Sequence, residues 1–171
     1  ILERLQGIPV ADIDASRIRV HGNLDLDAVL VDGDEFVVYD FTGDATSPLG
    51  DRRLRRSPLW DIADMLRSLH ETALSAAFER AGLPGAAPLV TLEPWALAWN
   101  RWAAAAFLRG YLSGMQDGRL LPADPDQVRL LLGAFLMEKT TRRLAADVTA
   151  RRRLAWIAAR ALIDTLGWAG G

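Results

Sequence analysis

The chain changes character near residue 50, and this change limits the folds open to it. Before that point, short β-rich runs alternate with polar turns; after it, apolar residues recur at helical spacing. Ala28–Val31 and Glu35–Tyr39 are predicted strands. Asp32-Gly33 between them favours a type I′ hairpin turn, which needs positive φ at both central residues. A shorter strand is expected at Ile18–Val20, before a polar loop over His21–Asp27.

Four long helices are predicted after a surface loop at residues 44–56. The first begins at Ser57-Pro58, because serine caps helices and proline suits the first helical position, and it ends at Gly82. The others cover Glu93–Met115, Pro125–Asp147 with Asp124 as its cap, and Thr149–Leu166. The expected fold is α+β and mainly α, with a small β-hairpin unit packed on about four helices.

The bulk composition limits the classes of function. With 171 residues, half of them apolar, the chain can form one domain, residues 1–171, with a hairpin part at 1–50 and a helical part at 57–168. A formal net charge of −2 gives no strong field to attract nucleic acid or anionic lipid, and no apolar run is long enough to cross a membrane. The absence of cysteine excludes disulfides and thiolate metal sites and fits the cytoplasm.

Two polar segments flank the predicted hairpin. His21-Gly22-Asn23 precedes it, and Asp40-Phe41-Thr42-Gly43 follows it. A hairpin brings the segments before and after it to the same end of the strands, so we expect their polar groups to converge. Phosphoryl transfer needs a carboxylate near the attacking hydroxyl and oxygen ligands for Mg²⁺, and this order of residues suits that chemistry.

This order resembles the C-terminal lobe of the aminoglycoside-phosphotransferase-like kinases, which have a protein-kinase-like fold. It is most similar to the maltokinases, bacterial enzymes that phosphorylate maltose and are often fused to trehalose synthase. His21–Leu30 resembles the family's loop, roughly His-Gly-Asp-Tyr-His-Leu-Gly-Gln-Val-Leu, and Asp40–Gly43 resembles its Asp-Phe-Glu-Gly. Ser57–Ser68 is similar to its Ser-Pro-Leu-x-Asp-Val-Ala-x-Met-Leu-Arg-Ser, and Phe107–Tyr111 and Phe135–Lys139 are similar to maltokinase helices. The resemblance therefore covers nearly the whole chain.

The resemblance implies a site that has lost several functional groups. Asn23 stands at the position of the family's catalytic aspartate, and an amide cannot take up a proton near neutral pH. General-base catalysis is typically worth about 10²–10⁴-fold, so this change alone is severe. Ala28 replaces a glutamine that binds the nucleotide's metal, Thr42 replaces a glutamate, and Asp25 replaces a histidine. Asp40 remains as a vestigial metal ligand.

The family's N-terminal lobe supplies a lysine and a loop that hold the ATP phosphates, and nothing before His21 resembles either. The chain also begins at Ile1 without a methionine, so we expect it to be cut from a longer protein. No cofactor is expected for this polypeptide alone. Mg-ATP would bind if the full-length protein is active.

Two residues of the loop, and one residue of the first helix that would contact it, have two interpretations each. His21 would orient the catalytic loop, or it is a hydrogen-bonded structural histidine. Asn23 is the degenerate base position, or simply a turn residue, because asparagine tolerates the left-handed backbone. By the resemblance, Asp61 would position the loop by accepting hydrogen bonds from its backbone. Otherwise its charge only favours the helix N-terminus.

The remaining candidates also have two interpretations. Asp40 is a metal ligand or a turn residue at the end of a strand. Asp25 and Asp27 would bind substrate, or supply a replacement base or metal ligands. The tryptophans of the second long helix, Trp95, Trp99 and Trp102, would form a platform for a sugar, but at helical spacing aromatic residues are more often core.

Three functions compete. The first is a degenerate, inactive maltokinase-like domain that serves as a structural or regulatory module of a trehalose or α-glucan enzyme. The second is a fragment of an active ATP-dependent sugar kinase, and the third is a carbohydrate-binding or assembly domain. The expected partners are the missing N-terminal lobe or a fused or associated trehalose-metabolism enzyme, with maltose or an α-glucan as ligand and neither nucleic acid nor membrane.

Overall fold

The computed structural model describes residues 16–115, 120–150 and 152–168. Residues 1–15, with which the predicted hairpin part begins, lie outside the described residues. The described elements are strands β1 (Val29–Asp32) and β2 (Glu35–Val38) and helices α1 (Leu49–Arg52), α2 (Leu59–Ala81), α3 (Leu89–Gly114), α4 (Pro125–Ala150) and α5 (Arg152–Trp168). A mainly helical chain with a small antiparallel sheet was expected and is confirmed.

The hairpin forms, but its turn differs from the predicted one. Asp32 pairs with Glu35 in the antiparallel ladder, so the two-residue loop is Gly33-Asp34 rather than Asp32-Gly33. Gly33 has a φ of 61°, whereas Asp34 has a negative φ. Positive φ at the first central residue alone is the pattern of a type II′ turn, so the predicted type I′ turn is wrong. Only the glycine tolerates this backbone without steric cost.

The segments around the hairpin are less regular than predicted. The expected strand at Ile18–Val20 is reduced to one bridge between Ile18 and Arg56, each of which donates its N–H to the other's carbonyl at 2.9 Å. In this antiparallel register Val20 would pair with Leu54, which lies in a bend shortly after α1, so the strand does not continue. Leu26–Ala28 forms a 3₁₀ turn, so β1 begins at Val29, and α1 lies inside the predicted surface loop.

The hairpin does not bury its side chains on the helices, which corrects the expected packing. No residue of β1 or β2 is fully buried, and Phe36 is 73% exposed. Ala28, just before β1, is buried, and the Tyr39 hydroxyl, just after β2, donates to the Asp27 carbonyl at 2.6 Å. The strands therefore depend on their own ladder and on contacts at their base.

Helix α2 begins and ends where the local signals predicted. The Ser57 hydroxyl accepts the Leu59 N–H at 3.3 Å, which satisfies one of the free donors of the first turn. Its last residue, Ala81, is followed by Gly82. α4 also begins as predicted, since the Asp124 carboxylate accepts the Asp126 N–H at 2.9 Å.

Helix α3 begins before the predicted Glu93. The Pro88 carbonyl accepts the N–H groups of Thr91 and Leu92, so the first turn forms ahead of Pro94, which lies inside the helix. Proline there removes one backbone hydrogen bond, a cost that the rest of this long helix tolerates. α4 continues past Asp147 to Ala150, so α5 begins at Arg152 rather than Thr149.

The central core lies where α2, α3 and α4 meet. Leu59, Ile62, Ala63 and Leu132 are buried there, and partly buried side chains such as Phe107 and Phe135 pack around them. Because Leu59 and Ile62 belong to the first turns of α2, this core fixes the end of the helix that faces the His21 loop. No helix in the described part of the chain is both long and apolar enough to cross a membrane.

The prediction that the α3 tryptophans are core residues is wrong. Trp95, Trp99 and Trp102 are 75%, 51% and 77% exposed. α3 packs against α2, and its inward side carries Phe107, Leu108 and Tyr111 instead. The tryptophans therefore form an exposed face, which we call the tryptophan face.

Candidate functional site

The His21 loop is held by a carboxylate from the first turn of α2. Asp61 accepts the His21 N–H at 2.8 Å through Oδ2 and the Gly22 N–H at 2.8 Å through Oδ1. Hydrogen bonds to a charged acceptor are stronger than neutral ones. Asp61 also lies where a negative charge favours the helix N-terminus, so both of its proposed interpretations are compatible with this geometry.

His21 links this loop to the end of the hairpin. Its side chain is buried, and Nε2 lies 2.7 Å from the Tyr39 carbonyl. A carbonyl only accepts, so Nε2 carries the proton, and Nδ1 is free to accept the Asn23 N–H at 3.4 Å. The ring also contacts Phe41, with 4.8 Å between ring centroids. These contacts order the loop and satisfy the histidine at the same time.

The loops before and after the hairpin touch through two glycines. Gly22 has a φ of 87° and Gly43 a φ of 76°. A side chain on Gly22 would place its Cβ about 3.3 Å from the Gly43 Cα, closer than most real contacts allow. The expected convergence of the two polar segments is therefore achieved by close backbone approach.

Asp40 is exposed and has a φ of 60°, an uncommon backbone for a residue with a side chain. Its carboxylate accepts the Thr42 hydroxyl at 2.7 Å. Ala28, which stands where the resembled family has a glutamine, is buried, and its methyl side chain has no ligand atom. No group of three or more His, Asp or Glu side chains is arranged to hold a metal among the described residues. These residues therefore offer no all-protein cage, and Mg²⁺ at Asp40 would need nucleotide phosphates and water for most of its ligands.

The predicted site residues divide between two cavities. Asn23 lines a cavity of about 200 Å³, together with Trp60 and Lys139. Asp25 and Asp27 line a separate cavity of about 330 Å³. The Asn23 amide lies 3.4 Å from an Asp25 carboxylate oxygen, so the two residues touch although they line different spaces. Asp40 lines neither of them.

The Asn23 cavity has a stacked wall that sequence reasoning missed. The Arg56 guanidinium lies 4.0 Å from the centre of the Trp60 ring, and the Lys139 ammonium lies 3.9 Å from it. Both distances suit cation–π attraction. The motifs that carry the resemblance contain Trp60 and Lys139, but only Asp61 was singled out from them.

Lys139 forms a buried ion pair with Asp64, one turn beyond Asp61. Its ammonium donates to Asp64 Oδ2 at 2.6 Å, and both side chains are almost fully buried. Burial raises the pKa of Asp64 to about 6, an effect that the nearby Lys139 charge opposes. Burial lowers the pKa of Lys139, again against the pull of its partner. The only hint of this arrangement in the sequence is the spacing of Asp61 and Asp64, which places two carboxylates one turn apart on the same helix.

The Asp25–Asp27 cavity is rich in hydroxyl and carboxylate groups. Ser68, Thr72 and Ser75 of α2 line it. The Ser68 hydroxyl accepts the Leu26 N–H at 3.0 Å, which attaches the 3₁₀ turn to α2. Hydroxyls and carboxylates side by side offer donors and acceptors for a polyol, and these α2 hydroxyls were also not predicted.

Comparison with known proteins finds similar folds but no matching family. No protein-family model matches the sequence. Glucosamine kinase in complex with glucosamine, ADP and inorganic phosphate matches 86% of this chain, with a TM-score of 0.67 and 20% identity. Two further crystal forms of glucosamine kinase match the same share of the chain, each with a TM-score of 0.66, at 20% and 21% identity.

The match takes in only about a third of each glucosamine kinase chain, 33% or 34%. At this identity the likeness concerns the fold alone. The chain therefore has a kinase-like fold, that of the corresponding part of these sugar kinases.

Proposed function

We propose that the chain is a non-catalytic, maltokinase-like C-terminal lobe of the aminoglycoside-phosphotransferase type. It would be a structural or regulatory module of a trehalose or α-glucan metabolic protein in the cytoplasm. The observation that carries the proposal is the pair of Asp61 hydrogen bonds to His21 and Gly22, which hold the loop in place while its next residue is an amide. The shape of the loop is kept, and the carboxylate is absent.

Two further features support the loss of catalysis. The methyl group of Ala28 cannot bind a metal, and the Asp40 carboxylate accepts the Thr42 hydroxyl instead. Asp25 and Asp27 line the neighbouring cavity rather than that of Asn23, which argues against either of them as a replacement base. A nucleotide lobe, from the same protein or from a partner, would still be needed to hold ATP.

The test is an assay of ADP release by the full-length protein with Mg-ATP and either maltose or glucosamine. We expect no sugar-dependent turnover. The matched variant Asn23→Asp restores a carboxylate, and we expect it to stay inactive because Ala28 is unchanged. Sugar-dependent turnover that Asp40→Ala abolishes would instead establish an active kinase with rearranged ligands.

A carbohydrate-binding role is the second candidate, and the exposure of the tryptophan face favours it. Trp95, Trp99 and Trp102 lie at helical spacing on one side of α3, and flat aromatic rings in solvent can stack on the rings of maltose or an α-glucan. Calorimetry with maltose and longer α-glucans tests this role. Binding that Trp99→Ala weakens and Phe36→Ala leaves unchanged would support it, and no heat with any glucan would reject it.

A further inference from the structure

The Asn23 cavity is lined by twice as many basic side chains as acidic ones, six against three. The basic residues come from α1 and the segment after it, from α2 and from α4: Arg52, Arg56, Arg67, Lys139, Arg142 and Arg143. The groups among these that still lack a partner decide which ligand the cavity can bind.

The acidic groups of the cavity are largely satisfied by the protein itself. Asp44 accepts the hydroxyls of Thr46 and Ser47 at 2.7 and 2.8 Å and the Thr46 N–H at 2.9 Å. Asp64 accepts the Lys139 ammonium, and the third carboxylate, in α1, is exposed to solvent. The cavity therefore offers few free acceptors to a ligand that is rich in donors.

Three of the arginines are held by carboxylates that do not line this cavity. Arg67 and Arg143 both contact Glu71, and Arg142 contacts Glu138 at 2.8 Å. An arginine has five N–H groups, so each of these side chains keeps donors for a ligand while its position is fixed.

The two remaining arginines have no carboxylate partner in the described part of the chain. Arg52 donates to the Ser47 and Ala45 carbonyls at 2.9 and 2.7 Å, and these acceptors carry no charge. The Arg56 guanidinium is held instead by the Trp60 ring, 4.0 Å from its centre, so its N–H groups have no acceptor among the described residues. Guanidinium groups bind phosphate oxygens through two parallel hydrogen bonds.

We propose that this cavity binds a phosphate group, either free phosphate or the phosphoryl group of a small sugar ester. The cavity volume of about 200 Å³ lies below the roughly 300–1,000 Å³ of sites for drug-sized ligands, which suits a compact anion. The Trp60 ring is 5% exposed and already carries two cations, so it offers no face to stack on a sugar. A regulatory role for such a ligand rests on the proposed non-catalytic function, whereas its binding does not.

Calorimetry on the full-length protein, without Mg²⁺ or nucleotide, tests the proposal. The probes are sodium phosphate, glucose 1-phosphate and glucose 6-phosphate. We expect saturable binding of at least one of them at millimolar concentration. An ester that binds more tightly than phosphate would identify the ligand as a sugar ester, and equal affinities would identify it as free phosphate.

Arg56→Gln should weaken this binding by about tenfold or more, because charge-assisted hydrogen bonds are lost. Arg56→Lys keeps the charge without the planar fork and should recover only part of the affinity. The matched control is Arg55→Gln, at an exposed position outside the cavity, which should change the affinity by less than about twofold because its charge is screened. Arg142→Gln, at a side chain that is 58% exposed, should weaken binding by about threefold.

Absence of saturable binding with every phosphate probe would overturn the proposal. Equal losses in Arg56→Gln and Arg55→Gln would overturn it as well, because binding would then reflect surface charge alone. If Arg56→Gln does not fold, the comparison of Arg142→Gln with Arg55→Gln decides the matter.

The ADP-release assay remains a separate measurement. Sugar-dependent turnover in that assay would reject the non-catalytic proposal and leave the phosphate site standing. Failure of the phosphate probes to bind would reject the site and leave the non-catalytic proposal standing.

Discussion

The first turns of α2 and the hairpin lie next to the same loop, yet they are held in opposite ways. On α2, Asp61 binds the loop backbone and Asp64 binds Lys139, through side chains that are partly or almost fully buried. In the hairpin, every residue is at least partly exposed, and the strands are held by their own ladder. The loop is thus ordered by buried polar contacts with a helix rather than by a packed sheet.

This difference shows where sequence changes are costly. Removing one partner of a buried ion pair strongly destabilises the protein, because the other charge stays buried and cannot regain water. Substitution of an exposed hairpin side chain should change the stability of the protein little, because that side chain is in water in both the folded and the unfolded state. The α2 contacts should therefore be sensitive to substitution and the hairpin tolerant.

Lys139→Met should destabilise the protein by about 3–5 kcal/mol, because it leaves the Asp64 carboxylate buried without its partner. Urea denaturation at neutral pH measures the free energy of unfolding. The matched control is the double variant Asp64→Leu with Lys139→Met, which removes both charges and should recover most of the loss. A double variant no more stable than Lys139→Met would show that the pair is not the cause.

Asp61→Ala should cost about 2–4 kcal/mol, because the N–H groups of His21 and Gly22 both lose their acceptor. Asp61→Asn keeps one acceptor oxygen and removes the charge, so about half of the loss should remain. Urea denaturation gives the free energies, and faster amide hydrogen exchange at His21 and Gly22 localises the effect. If both variants cost less than about 1 kcal/mol, Asp61 acts only through its charge at the helix N-terminus.

Stability should fall as pH rises from about 4 to about 6. Burial raises the pKa of Asp64 from an ordinary value of 3.8 to about 6, so in this window the folded protein holds a proton that the unfolded chain has lost. The contribution is at most about 3 kcal/mol, since one pKa unit corresponds to about 1.4 kcal/mol. Urea denaturation at several pH values measures it.

Asp64→Asn is the matched control for this pH dependence. It cannot titrate, so the slope of stability between pH 4 and 6 should become flatter than in the unaltered chain. An unchanged slope would assign the pH dependence to other carboxyl groups.

Phe36→Ser should cost less than about 1 kcal/mol, because the ring is mostly in water and its cross-strand partner in the ladder, Val31, is exposed as well. Thermal and urea unfolding measure the change. A loss above about 2 kcal/mol would mean that the hairpin is packed in solution and would remove the contrast with α2.

The sequence predicted those elements that depend on local signals. Ser57-Pro58 and Gly82 delimit α2 because capping is decided by residues next to each other in the chain. The turn at Gly33 was misplaced by one residue because strand register depends on pairing across the ladder. The tryptophan face was predicted as core because helical spacing shows that residues share a side, not which side packs inward.

The candidate site was predicted only in part. The convergence of His21 with the Asp40 segment could be expected from the hairpin between them. The ion pair of Asp64 with Lys139 could not, because it joins residues that are far apart in the sequence. The separation of Asn23 from Asp27 into different cavities also depends on the 3₁₀ turn that contains Asp27, which has no distinctive sequence signal.

The approach of Gly22 to Gly43 has a consequence for how this region can change over evolutionary time. Two loops that meet main chain to main chain leave no room for a side chain at the contact, so a substitution at Gly22 obliges the Gly43 segment to move. The side chains around the contact, Asn23 among them, are free of that requirement. Such a region can exchange its chemistry one residue at a time while its backbone outline is inherited as a single unit.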